Sequence, residues 1–251
     1  MHTSSYWIGH FKENANQKRV HWNTGLGITD REIAVILPSL QAWQLGETSE
    51  GKHLIAASEK YAQKIQDPKY VDAIKLFIKE EQKHGNNLGS YLDMIGKPRI
   101  KHDWGDTMFR KVRYFNTSME LWTLAVIVVE STAQIFYQAL KDATRCELLK
   151  AICTDILIDE AYHITFQTER LAIIYDSKTI LSKTWRRPVY KWFFYFTSSL
   201  VWFAHRKLFK AGGNSFTSYT RKMEYKYLKT LHVITSMQID YKHDKISLKY
   251  D

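Results

Sequence analysis

Apolar residues recur at spacings of three and four through four long stretches of this 251-residue chain, and turn-forming residues separate the stretches. That period is the mark of helices with one buried face. A helix is expected to start near Asp30, with Glu32 in its first turn, and to be interrupted by Pro38. The first long helix then runs from about Ser39 to Ile65, and Asp67-Pro68 makes the turn. The second runs from about Lys69 to Ile95, with Val71, Ile74 and Ile78 along it, until Gly96-Lys97-Pro98 stops it. A connection of some twenty residues follows, with a short helix expected around Asp106–Tyr114. Thr117-Ser118-Met119-Glu120 has capping-box form and opens a third helix that runs to about Ala143, apolar through Leu121–Val129. The fourth runs from about Cys146 to Tyr175. Residues 1–28 show no clear period and read as an ordered or fraying arm.

Composition divides the chain into residues 1–38, an arm with a short helix; 39–176, the four-helix bundle; and 177–251, a helical extension. Residues 1–176 hold 21 Lys and Arg against 22 Asp and Glu, a net of −1, and residues 177–251 hold 15 against 4, a net of +11. The extension is also crowded with aromatics, among them Trp185, Trp192, Phe193, Phe194, Tyr195, Phe196, Trp202 and Phe203. Gly212-Gly213-Asn214 breaks it, and Ser215 caps a last helix to about Gln238. Packing of these aromatics on the bundle, contact with an anionic membrane surface and binding of a nucleic acid or other polyanion are three readings of this segment. Cys146 and Cys153 would lie two turns apart on one helix, about 10 Å between Cα atoms, too far to bridge. With no apolar run at residues 1–28, the expectation is a cytoplasmic protein, or one peripheral to a membrane.

The chemistry lies in a repeated pattern, Glu81-Gln82-Lys83-His84 and Glu160-Ala161-Tyr162-His163. On a helix, residues three apart share a face, so each copy aims a carboxylate and an imidazole in one direction. Glu50 precedes Glu81 by 31 residues, and Glu130 precedes Glu160 by 30. One Glu from each of two helices and Glu-x-x-His from each of the other two is the inward-facing ligand set of a dimetal bundle. Glu130 is the hardest of these to explain otherwise, since it interrupts Leu124–Val129 and an unpaired buried carboxylate is costly. Depth along the helices favours Glu50 over Glu47. At about 1.5 Å per residue, Glu47 falls roughly 4–5 Å further from the level that matches Glu81 than Glu50 does, and it is read as a neighbour or alternative ligand. His53 makes a third Glu-x-x-His with Glu50, Tyr137 lies two turns beyond Glu130, and Asp155 and Asp159 are placed to accept hydrogen bonds from the ligand imidazoles.

Glu50, Glu81, His84, Glu130, Glu160 and His163 together resemble the ligand set of the ferritin-like di-iron carboxylate superfamily, over about residues 39–176. The segment Leu45–Gly51 is also similar to the first helix of uncharacterised ferritin-like proteins. The resemblance implies an all-α, ferritin-like four-helix bundle with a long crossover, holding two iron ions, or manganese, or a mixed pair. It implies activation of dioxygen to oxidise or hydroxylate a substrate, small or macromolecular, with an external electron donor. Alternatives are a non-enzymatic metal-binding module with a membrane- or nucleic-acid-binding tail, and ferroxidase or iron handling. A homodimer is compatible with all three.

Overall fold

Helix α4 (Lys69–Met94) shows how these residues make this architecture. Pro68 precedes it, Gly96 at φ 66° follows it, and Tyr70, Ala73, Ile74, Phe77, His84, Leu88, Tyr91 and Leu92 bury one continuous face. The computed structural model describes residues 1–105, 107 and 118–247, with 237–247 as backbone only. The helices among these are α1 (Ser4–Asn14), α2 (Asp30–Glu47), α3 (Lys52–Ile65), α4, α5 (Met119–Asp142), α6 (Glu147–Asp176), α7 (Ile180–Ala211) and α8 (Phe216–Ser247). There is no strand among the described residues. Apart from Thr107, the short helix expected at Asp106–Tyr114 lies outside them.

The bundle consists of α2 with α3, α4, α5 and α6. α5 and α6 form the tightest pair, α2 and α3 pack on α4, and α4 meets α6 while α3 meets α5. α5 is the one helix among the described residues long and apolar enough to cross a bilayer, but 72% of that apolar window is buried inside the bundle. The N-cap of α5 is Ser118. Glu120 takes no part in a capping box there; it accepts from Arg186 Nε at 2.6 Å and from Tyr190, with Lys178 Nζ at 3.1 Å, and so fastens α7 to the bundle.

Three expectations need correction. Pro38 does not interrupt its helix. Both Pro38 and Ala34 are exposed, so the carbonyl that loses its N–H partner can be hydrated. The helix breaks instead between Glu47 and Lys52, so the stretch from Ser39 to Ile65 is two helices. Gly51 holds φ 64° there, and a Cβ on it would meet Ile78 Cδ1 at 2.5 Å, so both the turn and the close approach demand glycine. Finally, of the two readings of the N-terminal arm, ordered or fraying, residues 4–14 take the ordered one, and as a helix that the lack of a clear period did not predict. Thr3 caps α1, and Trp7 and Phe11, each 1% exposed, pack among Phe77 and Phe166.

The change of composition at residue 177 falls inside one continuous core. Phe194, Trp202, Leu208 and Phe209 of α7 and Tyr219, Met223 and Tyr227 of α8 join Leu40, Leu88, Phe136, Leu148 and Ile152 of the bundle. α8 continues past Gln238 to Ser247. Cys146 and Cys153 are buried free thiols.

Because Trp7 is sealed between α1, α4 and α6 and its Nε1 donates to Glu169 at 3.0 Å, Trp7→Ala should cost about 3–5 kcal/mol. Chemical denaturation of the two proteins measures this directly, and a loss below about 1 kcal/mol would mean α1 is not part of the core.

Candidate metal centre

The mid-helix positions of α4, α5 and α6 and the last residue of α2 converge on one point. Glu81 and His84 come from α4, Glu130 from α5, Glu160 and His163 from α6, and Glu47 from the end of α2. They form two groups, Glu47, Glu81, His84 and Glu160, and Glu81, Glu130, Glu160 and His163; in each, one ligand atom per residue lies within 4.8 Å of all the others. Glu81 and Glu160 belong to both groups, which is where bridging carboxylates would stand.

The structure brings together five of the six residues proposed from the sequence and leaves out Glu50. Glu50 lies in the break between α2 and α3, exposed, with its carboxylate on Lys52. A rise of 1.5 Å per residue does not hold across the non-helical turn at 48–51, so depth counted along a continuous helix does not apply to Glu47 and Glu50. Glu47 takes the place, 8% exposed. Its Oε1 accepts from Tyr137 Oη at 2.6 Å and from Trp43 Nε1 at 2.8 Å. Tyr137 therefore positions Glu47 and does not line the neighbouring cavity. His53 is exposed, beside the cavity mouth and outside both groups.

Both imidazoles are oriented from behind. His84 Nε2 donates to Asp159 Oδ2 at 3.0 Å, and His163 Nε2 donates to Glu80 Oε2 at 2.8 Å. These bonds leave each Nδ1 facing the carboxylates, the arrangement that fixes a metal-binding histidine. Asp155 touches neither ring; it pairs with Arg19 and, at 3.6 Å, with Lys83. Asn14 at the end of α1 donates to both Glu80 and Asp159, and Arg19 and Lys83 close the layer over Asp159 at 2.9 and 2.8 Å. Glu80 has no distinguishing mark in the run Lys79–Lys83. Only its helical offset from His84, one turn earlier and slightly rotated, hints at a role.

The electrostatics describe a site short of positive charge. Burial, then the neighbouring carboxylates, push Glu130 and Glu47 well above the usual carboxylate range. Burial also works against the Glu81 carboxylate, but His163 and His84 outweigh it and hold Glu81 down at about 2. His163 is raised well above the usual imidazole range despite burial, by Glu81, Glu160 and Glu80. Burial opposes Asp159 too, and His84, Lys83 and Asn14 keep it ionised.

A cavity of about 250 Å³ meets the cluster on its carboxylate side, at Glu47, Glu81 and Glu130. Its walls include Trp43, Phe77, Trp122, Val126 and Val201. His205 joins them where α7 departs from helical geometry (φ −116°, ψ 19°), and burial pulls this imidazole down to about 4, so it is neutral.

No family model matches the chain, and no curated protein sequence matches it. Among solved structures it is similar to point variants of R2-like ligand-binding oxidase. One with an anaerobically reconstituted Mn/Fe cofactor has a TM-score of 0.57 at 14% identity, covering 93% of this chain and 92% of that one. Another so reconstituted has a TM-score of 0.56 at 13% identity, and one with an aerobically reconstituted Mn/Fe cofactor 0.54 at 15%, each covering 93% of both chains. The shared feature is the fold, an all-α ferritin-like bundle.

Two predictions follow from the geometry. A Cβ at Gly85 would meet Thr48 Cγ2 at 2.8 Å and the Glu47 carbonyl carbon at 3.1 Å, so Gly85→Ala must push the end of α2 away. It should destabilise the protein by about 1–3 kcal/mol in thermal or chemical denaturation and weaken metal retention, measured by elemental analysis. Glu130→Gln removes a buried acid without removing its volume. The metal-free protein should melt no lower, and up to several degrees higher, as calorimetry would register.

Proposed function

We propose that this chain is a dimetal carboxylate oxidase. Glu47, Glu81, His84, Glu130, Glu160 and His163 would hold two ions, iron or a manganese–iron pair; dioxygen is the oxidant, an external donor supplies electrons, and an apolar substrate occupies the adjoining cavity. The observation that carries this reading is a set of buried side-chain atoms without a hydrogen-bond partner: Glu81 Oε1, His84 Nδ1, both Glu160 oxygens and His163 Nδ1. Each such atom costs about 1–3 kcal/mol if left unsatisfied, and they are gathered at one point. His163 Nδ1 even lies 2.7 Å from Glu81 Oε1 without the alignment of a hydrogen bond, as two ligands of one ion would. A set of four carboxylates and two imidazoles suits iron and manganese better than zinc. The Mn/Fe cofactors of the structurally similar oxidases support a mixed pair as one choice.

When bound, such a pair supplies redox equivalents to dioxygen. The chain's own residues do the rest. Asp159 and Glu80 hold the imidazole tautomers, with Nδ1 inward. Tyr137 and Trp43 hold Glu47 against the repulsion of Glu81. The largely apolar cavity meets the centre at Glu47, Glu81 and Glu130, so a substrate there approaches past these carboxylates and not past the histidines.

The test is anaerobic loading with ferrous iron, alone or with manganese, followed by removal of excess metal, elemental analysis and exposure to air in an oxygen electrode. About two ions per chain, with oxygen uptake and a new visible absorption band, are expected. Glu47→Ala should lose at least one ion and lower uptake by about tenfold or more, while Glu50→Ala should behave as wild type. Absence of stoichiometric metal in the wild type, or equal damage from the two substitutions, would sink the assignment.

A further inference from the structure

Helix α7 buries Tyr190, Phe194, Trp202 and Leu208 on one side, yet its other side is also apolar. Leu181, Trp185, Val189, Trp192, Phe196 and Phe203 are between 41% and 82% exposed. Their spacings of four, four, three, four and seven keep all six within an arc of about 80° and spread them over about 33 Å. Trp192 and Phe196 stack on each other at 5.0 Å, so part of the row is already ordered. Large apolar residues scattered singly over a surface need no explanation, but a continuous row of this length does.

Charge identifies what covers it. No Asp or Glu occurs from residue 177 to 223. Arg187 and Lys191 stand exposed beside the row, and Arg206, Lys207 and Lys210 stand exposed beyond its Phe203 end. A second copy of the chain would set these cations against their own kind, and a neutral partner would leave them unused. An apolar row with tryptophans and a cationic margin matches an anionic bilayer, in which the rings sit at the headgroup level and Lys and Arg meet phosphate. We infer that the outer face of α7 docks this protein, with the helix lying flat, on a membrane surface rich in anionic phospholipid.

The full-length protein is tested by co-sedimentation with vesicles of phosphatidylglycerol and phosphatidylcholine in equal parts, and with vesicles of phosphatidylcholine alone. Binding is expected to the first at least tenfold tighter than to the second, and several-fold weaker in half-molar salt than in tenth-molar. Trp185→Ser with Trp192→Ser, and separately Arg206→Glu with Lys207→Glu, should each weaken it by tenfold or more. All four side chains are exposed, and an unchanged melting temperature verifies the fold. Brominated phosphatidylcholine in the mixed vesicles should quench tryptophan emission of the wild type, and quench the double serine variant less. No binding to the anionic vesicles, or binding indifferent to both pairs of substitutions, would overturn the inference. So would a wild-type dimer that the serine pair dissociates, which would assign the row to a second copy. Tighter binding of an RNA duplex than of the vesicles, unaffected by the serine pair, would also overturn it.

Discussion

Four carboxylates in the middle of an apolar bundle, with Glu81 and Glu160 within 4.8 Å of each other and of both Glu47 and Glu130, form the constraint on which the rest of the structure depends. At about 4 Å and an effective dielectric of about 20, each pair of ionised carboxylates repels by about 4 kcal/mol. Two imidazoles cannot balance four such charges. The chain therefore leaves Glu47 and Glu130 disposed to hold protons, and it draws the histidines toward the charged form. A cluster in this condition is an incomplete electrostatic assembly, and divalent ions are what would complete it.

The second layer follows from the first. Nδ1 of each histidine can face the carboxylates only if its Nε2 is occupied, which places Asp159 and Glu80 behind the rings. Those two acids need partners of their own, and Asn14, Arg19 and Lys83 supply them. Asn14 and Arg19 come from the N-terminal segment, so the packing of Trp7 and Phe11 does more than fill space. It brings the end of α1 to the back of the centre. Glu120 does a similar service on the far side, where Arg186 and Tyr190 bind α7 against α5 and so set the wall of the cavity.

What was legible in the sequence is what depends on local spacing. Glu-x-x-His needs only a helix to put both side chains on one face, and α4 and α6 are regular through their motifs. Glu130 was visible because it stands alone in an apolar run. Glu47 was not, because choosing it over Glu50 required knowing that the helix stops at Thr48; Gly51, with Thr48 and Ser49 before it, was the signal, and continuity of the helix was assumed past it. Glu80 hid among charged neighbours, since burial of one carboxylate in a row of five polar residues is decided by what packs opposite. Pro38 misled in the other direction, because a proline on the wet side of a helix can be carried through. The N-terminal helix lacked a clear period because it buries two large rings and an asparagine.

The break after Glu47 gives the centre one corner unlike the others. Glu81, Glu130 and Glu160 ride in the middle of long helices, where a carboxylate can change only its rotamer. Glu47 ends its helix, its carboxylate steadied by an indole and a phenol, and the four residues that follow, 48–51, form a non-helical turn. An ion that shrinks as it loses electrons pulls its ligands inward by tenths of an ångström. Were such an ion bound here, Glu47 at the break between α2 and α3 would be the ligand able to follow it, while Glu81, Glu130 and Glu160 stay with their helices.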